Sequence, residues 1–364
     1  MTTGTAADGR LAKLRAELES ENLDALLVSN ASNRRYLSGF TGSSGSLLIT
    51  ADGATIATDF RYYEQAESQA EAFRLYKTAG RLDDWLPGLL DGMGGKRTGF
   101  EASEVSYALH RQMVAVIEAM PAAARPRLVP RSGIVERLRA RKDADELAKL
   151  QAAIDLGDAT FEHVAKLVEP GWSEQQVAWE IERYIHEQGG DGPSFSAIVA
   201  GGAWGAMPHA YARDHALKSG EGLVIDMGAR LDGYCSDLTR TIVLGEPDAR
   251  FRAVYEIVLT AQLAAYEMIE PGMTGAQAHM LAQSVIDAAG YGEHFGHGLG
   301  HGIGLQVHEA PRVTATSDDT LEEGMVFSIE PGIYLPGWGG VRIEDLAVVE
   351  RGRCRFLSHA PKSE

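Results

Sequence analysis

Cysteine, basic charge and long apolar runs are scarce in this sequence. Two cysteines, Cys235 and Cys354, stand among 364 residues. That is too few for a disulfide framework or a four-cysteine zinc site. One bridge between them stays open, but the expected state is two reduced thiols inside a cell. Lys and Arg number 34 against 51 Asp and Glu, a formal net charge of −17. This balance argues against nucleic acid or an anionic membrane surface as partner. No run of about 18 apolar residues exists to span a bilayer. The leading MTTGTAADGRLAK has no apolar core of the secretory type, so the expected address is the cytoplasm. What is present is ordinary for a soluble globular chain, 45% hydrophobic and 23% charged. The length suits two domains or one large one, with a core that needs no covalent staples.

About the first 130 residues alternate helical and strand-like signals. Leu11 to Leu27 starts as an amphipathic helix and ends in the apolar run ALLV. Ser46–Thr50 and Ala54–Thr58 read as strands around the turn Asp52-Gly53. The segment Pro121–Gly133 is rich in Pro and Arg, and a new pattern starts at Lys142. The expected division is therefore 1–132, an α/β domain without a catalytic cluster, and 133–364. In the second part Leu147, Leu150, Ile154, Phe161, Val164 and Val168 fall at helical spacing, and Val177, Ile181, Tyr184 and Ile185 mark a second helix. Glu169-Pro-Gly-Trp-Ser-Glu-Gln-Gln176 recurs as Glu270-Pro-Gly-Met-Thr-Gly-Ala-Gln277, an offset of 101 residues. Each copy follows an amphipathic helix. Ser173 and Thr274 each have Gln three residues on, the spacing of a capping box. Two such matches in the same setting predict a duplicated half-domain.

Each repeat is followed by a strand–turn–strand signal that holds two acids. GLVIDMGARLDGYCSDLTRTIVL carries Asp226 and Asp237, nearly symmetric about Leu231-Asp232, with Asp232-Gly233 as hairpin turn. MVFSIEPGIYLPGWGGVRIEDLAVV carries Glu330 and Glu344, symmetric about Gly337. Opposed residues of an antiparallel hairpin share a face, so each pair of carboxylates is expected side by side. Acids set directly after apolar strand residues are poorly solvated, and four together either shift their pKa values or bind cations. Two divalent ions would neutralise them. Four of the 11 histidines, His294, His297, His301 and His308, lie in HFGHGLGHGIGLQVHE. Glycine at 296, 298, 300, 302 and 304 makes a helix there costly, and no HExxH occurs, so a helical zinc site is excluded. The alternation suits a strand or loop whose backbone runs close to a ligand or another strand. His209, fixed behind Pro208 in MPHAY, is a further candidate.

The ordered set Asp226, Asp237, His301, Glu330, Glu344 resembles the five metal ligands of the pita-bread metallopeptidases. The strings DMGARLDGYCSDLTRT, GHGLGHGIGLQVHEAP, SIEPGIY and VRIEDL resemble the proline-specific branch of that family, aminopeptidase P and prolidase. The resemblance runs from about residue 142 to 360, and the N-terminal part resembles the extra domain of this branch and of creatinase. It implies a two-domain α/β fold, a creatinase-like domain followed by a pita-bread domain of duplicated α+β halves. It further implies two divalent ions per subunit, Mn²⁺ ahead of Co²⁺ or Zn²⁺, with Asp237 and Glu344 bridging them. Asp226 would chelate one ion, and His301 and Glu330 would complete the other. Metal-activated water would attack the scissile carbonyl. Glu330 would shuttle the proton, His209 and His308 would steady the carbonyl oxygen, and His297 would line the proline pocket. Arg342 would anchor substrate or hold a bridging carboxylate. Tyr334 and Arg240 would support the site from behind. The substrate implied is a peptide with proline second, and the assembly a homodimer. The loop YLSGFTGSSGSLLIT looks more like aminopeptidase P, so the expected activity is release of the N-terminal residue. The alternative is Xaa-Pro dipeptidase. A non-catalytic binding protein and creatinase-type chemistry without metal are both disfavoured by the presence of all five ligand positions. One departure from the family stands out: the family often has Pro a few residues after the His209 position, whereas here the string is HAYARDHALKSG, with Arg213 and Asp214. Cys235 reads as a small packed side chain.

Overall fold

A computed structural model describes residues 6–362; the first five residues of the leading segment considered above lie outside the described residues. The chain divides into two compact units between Arg139 and Ala140. The first unit runs α1 (Ala6–Ser20), β1 (Ala25–Val28), α2 (Ala31–Ser38), β2 (Ser46–Thr50), β3 (Ala54–Thr58), α3 (Tyr63–Gln69), β4 (Arg74–Lys77), α4 (Leu82–Leu89), β5 (Arg97–Glu101), α5 (Tyr107–Ala119), β6 (Arg127–Arg131) and α6 (Ile134–Ala140). Its six strands form one sheet in the order β4-β3-β2-β1-β5-β6. The pairs β1–β2 and β2–β3 are antiparallel and the other joins parallel. The apolar ALLV of β1 is buried throughout, and Leu27, Leu48 and Phe100 pack with Leu86, Met113 and Ile117 of α4 and α5.

The expected boundary at 132/133 precedes the observed one by the short helix α6. A buried polar network explains the difference. Arg139 Nη1 donates to Asn33 Oδ1 at 2.7 Å, and Asn33 Nδ2 donates to Glu101 Oε1 at 2.6 Å and to Glu136 Oε1 at 2.7 Å. Buried charged groups need such partners, so α6 goes with the first unit.

The second unit runs α7 (Ala144–Leu167), α8 (Glu174–Glu187), β7 (Gly192–Pro193), β8 (Ile198–Gly201), β9 (Gly222–Met227), β10 (Ala229–Leu231), β11 (Tyr234–Cys235) and β12 (Leu238–Val243). It continues with α9 (Ala249–Met268), α10 (Gly275–Ala288), β13 (Gly300–Gly302), β14 (Glu309–Val313), β15 (Val326–Ile329), β16 (Gly332–Leu335), β17 (Gly339–Arg342), β18 (Asp345–Glu350) and β19 (Arg353–Phe356). The predicted repeat is present. Each half has a long helix, a break, a capped helix and antiparallel strands, β12-β9-β8 in the first and β18-β15-β13 within the five-stranded sheet of the second. Both capping boxes form: Gln176 N donates to Ser173 Oγ and Gln277 N to Thr274 Oγ1, each at 3.2 Å. The glutamines accept in return from Ser173 N and Thr274 N. Apolar residues of α7 and α8 (Phe161, Val164, Val177, Ile181) pack on β9 and β12, while α9 and α10 cover β15 and β18 through Val258, Ala282, Phe327 and Val349.

The second hairpin has the expected register: Ile329 pairs with Asp345 and Gly332 with Arg342, which sets Glu330 across from Glu344. The first is shifted by two. Asp226 pairs with Thr239, not Asp237. The reason is the turn: Asp232 and Gly233 take φ of 45° and 71°, so the fold-back centres on that pair rather than on Leu231-Asp232. Because side chains alternate with period two, the slip keeps both acids on one face, diagonal rather than opposed. Both cysteines are free and buried. Among the described residues no helix is long and apolar enough to cross a membrane.

Candidate metal centre

The five residues sit at strand ends and breaks of the second unit. Asp226 is on β9. Asp237 lies between β11 and β12, at a backbone pinch where a Cβ on Gly228 would come within 2.0 Å of Ser236 O. Glu330 directly follows β15, its N–H donating to Leu299 O at 2.8 Å. Glu344 falls between β17 and β18, its N–H donating to Thr239 O at 3.0 Å. That bond joins strands of the two halves. His301 is the middle residue of β13. The flanking glycines are demanded by sheet packing: a Cβ on Gly300 would lie 1.9 Å from Ser328 O, and one on Gly302 2.0 Å from Ala310 O. The strand runs pressed between its neighbours and projects only the imidazole.

The donor atoms of Asp237, His301 and Glu344 all lie within 4.8 Å of one another. His301 Nε2 is 3.6 Å from Asp237 Oδ2 and 3.4 Å from Glu330 Oε1. Its Nδ1 lies 3.1 Å from Gly302 O. A carbonyl can only accept, so the proton belongs on Nδ1 and the Nε2 lone pair faces the carboxylates. Burial, then repulsion from Glu344, Asp226 and Glu330, pushes the Asp237 carboxyl well above the ordinary range. Burial and then Glu330 and Asp226 do the same to Glu344, and burial raises Glu330. Burial lowers His301. Asp226 Oδ1 and Glu344 Oε1 are buried with no hydrogen-bond donor. Orphaned acceptor oxygens beside crowded carboxylates and a neutral imidazole are what a divalent cation satisfies. The oxygen-rich set fits the metal class inferred from sequence.

Around these five runs a hydrogen-bonded chain. Arg342 is buried; Nη2 pairs with Asp226 Oδ2, Nη1 donates to Tyr334 OH at 2.9 Å and Nε to Thr239 Oγ1 at 3.0 Å. Tyr334 OH meets His297 Nε2 at 2.8 Å, and His297 Nδ1 meets Gly298 O at 2.7 Å. The carbonyl fixes the His297 proton on Nδ1, so the Tyr334 hydroxyl donates to Nε2 while accepting from Arg342. Burial pushes the phenol up to about 12, which keeps that donor proton in place. Arg342, expected to hold a bridging carboxylate or anchor substrate, instead grips Asp226, which the resemblance makes a ligand of one ion only. His308 is exposed, its ring centroid 4.3 Å from that of His301. His209 is exposed; burial lowers both His297 and His308, with proximity to His209 a smaller contributor. His294 packs beside Tyr291 instead. Arg240 pairs with buried Asp345 at 2.6 Å and donates to Glu344 O at 2.6 Å.

Two groups were missed in the sequence. Thr239 donates to Glu344 Oε2 at 2.7 Å, and Ser328 donates to Glu330 Oε1 at 2.9 Å while accepting from His301 N. Each stands two residues from an acid on the same strand face, a signal readable only once the acids are known as the centre.

Residues 148–351 match metallopeptidase family M24, and residues 10–141 match the creatinase/prolidase N-terminal domain. An Xaa-Pro dipeptidase of Pyrococcus horikoshii is 34% identical over 347 residues, covering 94% of each chain. The structure of an Xaa-Pro dipeptidase from Bacillus anthracis superposes with a TM-score of 0.91 at 39% identity, over 98% of this chain and 99% of that one. That of an X-Pro aminopeptidase from Thermotoga maritima does so with a TM-score of 0.88 at 34% identity, over 97% and 99%.

Proposed function

The chain belongs to metallopeptidase family M24, in the proline-specific branch with a creatinase-like N-terminal domain, and from that premise we propose that this metallo-hydrolase is an Xaa-Pro dipeptidase. The observation that carries the reading is the set of four crowded carboxylates and one neutral imidazole with two orphaned buried oxygens. The relatives named as dipeptidases, matched over nearly their whole length, favour this reading over the aminopeptidase activity expected from one loop. The Thermotoga likeness supports aminopeptidase as the second reading.

In the proposed site Asp226, Asp237, His301, Glu330 and Glu344 would hold two divalent ions, and the oxygen-rich donor set favours Mn²⁺. When bound, such ions polarise a carbonyl and make water nucleophilic at neutral pH. The chain's own groups supply the rest. The nitrogen of an Xaa-Pro bond carries no hydrogen and leaves as an amine only when protonated. Glu330, whose carboxyl burial raises above the ordinary range, takes a proton from the attacking water as a carboxylate and delivers it there. His209 and His308 donate to the carbonyl oxygen as charge builds on it. His297, held by Tyr334, offers a fixed wall for the proline ring. Arg342 and Thr239 hold Asp226 and Glu344 in place. The same reading includes a cytoplasmic homodimer, which light scattering on the purified protein tests.

Turnover of an Xaa-Pro dipeptide and of an Xaa-Pro tripeptide, with Mn²⁺ and Zn²⁺ in parallel, separates the two activities. We expect cleavage of the dipeptide alone, faster with Mn²⁺. Release of the first residue from the tripeptide at a comparable rate would establish the aminopeptidase instead.

A further inference from the structure

His209 rides on the loop 202–212, between β8 and the return toward β9. Both ends of that loop are tied to one side chain. Glu174, the first residue of α8, is fully buried. Its Oε1 accepts from Gly201 N at 3.0 Å and Arg213 Nη2 at 2.7 Å; its Oε2 accepts from Arg213 N and Nε, each at 2.9 Å. Gly201 and Arg213 are the residues that flank the loop. Inside it Trp204 Nε1 donates to Tyr211 O at 3.0 Å, and the Arg213 guanidinium lies 4.1 Å from the Trp204 ring centroid. At the far side Pro208 O, next to His209, accepts from Arg342 Nη1 at 3.3 Å. The arch is thus pinned at its feet by Glu174, braced by Trp204, and touched at its crown by the arginine that grips Asp226.

The internal repeat shows that helix capping does not require this glutamate. Ser173-Glu174 corresponds to Thr274-Gly275, and both caps form. At Gly275 a Cβ would lie 2.1 Å from Arg312 O, so the second half closes backbone on backbone where the first inserts a carboxylate. The carboxylate has a different job, and its cation is Arg213.

We propose that Glu174 and Arg213 are positioning residues, a buried latch that closes the loop 202–212 and holds His209 over the scissile carbonyl. The inference rests on the proposed role of His209. A bidentate, charge-assisted pair gives both strength and a fixed geometry, and a histidine that stabilises a transition state gains only while its position is held.

The test compares wild type with Arg213→Met, Arg213→Lys, His209→Ala and the double variant Arg213→Met/His209→Ala, all Mn²⁺-loaded. It measures kcat and KM on an alanyl-proline dipeptide, bound metal, and chymotryptic cutting after the exposed Tyr211. We expect Arg213→Met to lower kcat by about 10- to 100-fold with KM within about threefold and bound metal unchanged. Cutting at Tyr211 is accelerated, Arg213→Lys restores part of the rate, and the double variant is no slower than His209→Ala, the non-additivity of two residues acting as one unit. Wild-type kcat and cutting in Arg213→Met would overturn the latch, as would losses that multiply in the double variant. If His209→Ala turns over normally, the role of His209 falls and the cutting rate alone decides the latch: unchanged cutting in Arg213→Met overturns it, faster cutting supports it. Glu174→Gln, which keeps the side-chain volume, gives the same readout should Arg213→Met fold poorly.

Discussion

Single buried acids in this protein do two different things. Asp237 and Glu344 are crowded by other carboxylates, and in the proposed site a metal ion would relieve them. Asp158 on α7 is raised chiefly by burial, with Asp345 a smaller contributor set against Arg240. Its Oδ2 accepts from His359 N at 2.5 Å, while its Oδ1 is buried without a donor. Burial lifts its carboxyl to about 6. An acid with a raised folded pKa binds its proton more tightly folded than unfolded. Its cost to stability is therefore absent below about pH 4, grows up to about pH 6 and is complete above. We expect Asp158→Asn to raise stability by roughly 1–2 kcal/mol at pH 8 and to change little at pH 4. Thermal unfolding across that range checks it; parallel curves for the two proteins would sink it. The five acid and histidine positions were legible because acids after apolar strand residues are conspicuous. Asp158, Thr239 and Ser328 were not, since a polar residue on an amphipathic element reads as exposed until the packing is known.

At the scale of elements the glycines around His301 make the sharpest case. A methyl on Gly300 meets a backbone carbonyl that cannot move aside. Gly300→Ala should cost about 3 kcal/mol or more and displace β13, whereas Gly296→Ala, with open space around it, should cost under about 1 kcal/mol. Chemical denaturation together with metal stoichiometry measures both, and a Gly300→Ala variant of wild-type stability and full metal content would refute the packing argument. The repeat and its capping boxes could be read directly, because caps are local interactions over three residues. The register of the first hairpin could not be read from acid symmetry. Positive φ at Asp232-Gly233 and the pinch at Gly228 decide it, and a shift of two leaves the hydrophobic pattern unchanged.

For the whole molecule, the proposed centre would couple stability to metal. An ion that binds only the folded chain stabilises it by about 2.7 kcal/mol at a hundredfold excess over its dissociation constant. Chelation should lower the unfolding temperature and Mn²⁺ restore it, with the shift shrinking toward pH 5 as protons compete for the carboxylates. Because two compact units are present, one melting temperature does not describe the chain. Hydrogen exchange in β9, β12, β13 and β15 is the direct readout, and exchange there indifferent to Mn²⁺ would contradict a metal site among those strands.

The sequence by itself determined the two-unit organisation, the duplicated half-domain and the five candidate ligands, because periodicity, caps and acid-after-apolar patterns are local and survive without a fold. Tertiary structure alone decided that Asp226 belongs to Arg342 and that α6 joins the first unit. It also decided that one buried glutamate ties both ends of the His209 loop. These are contacts between residues from 27 to more than 100 positions apart, and no local pattern encodes which distant partner a buried charge will find.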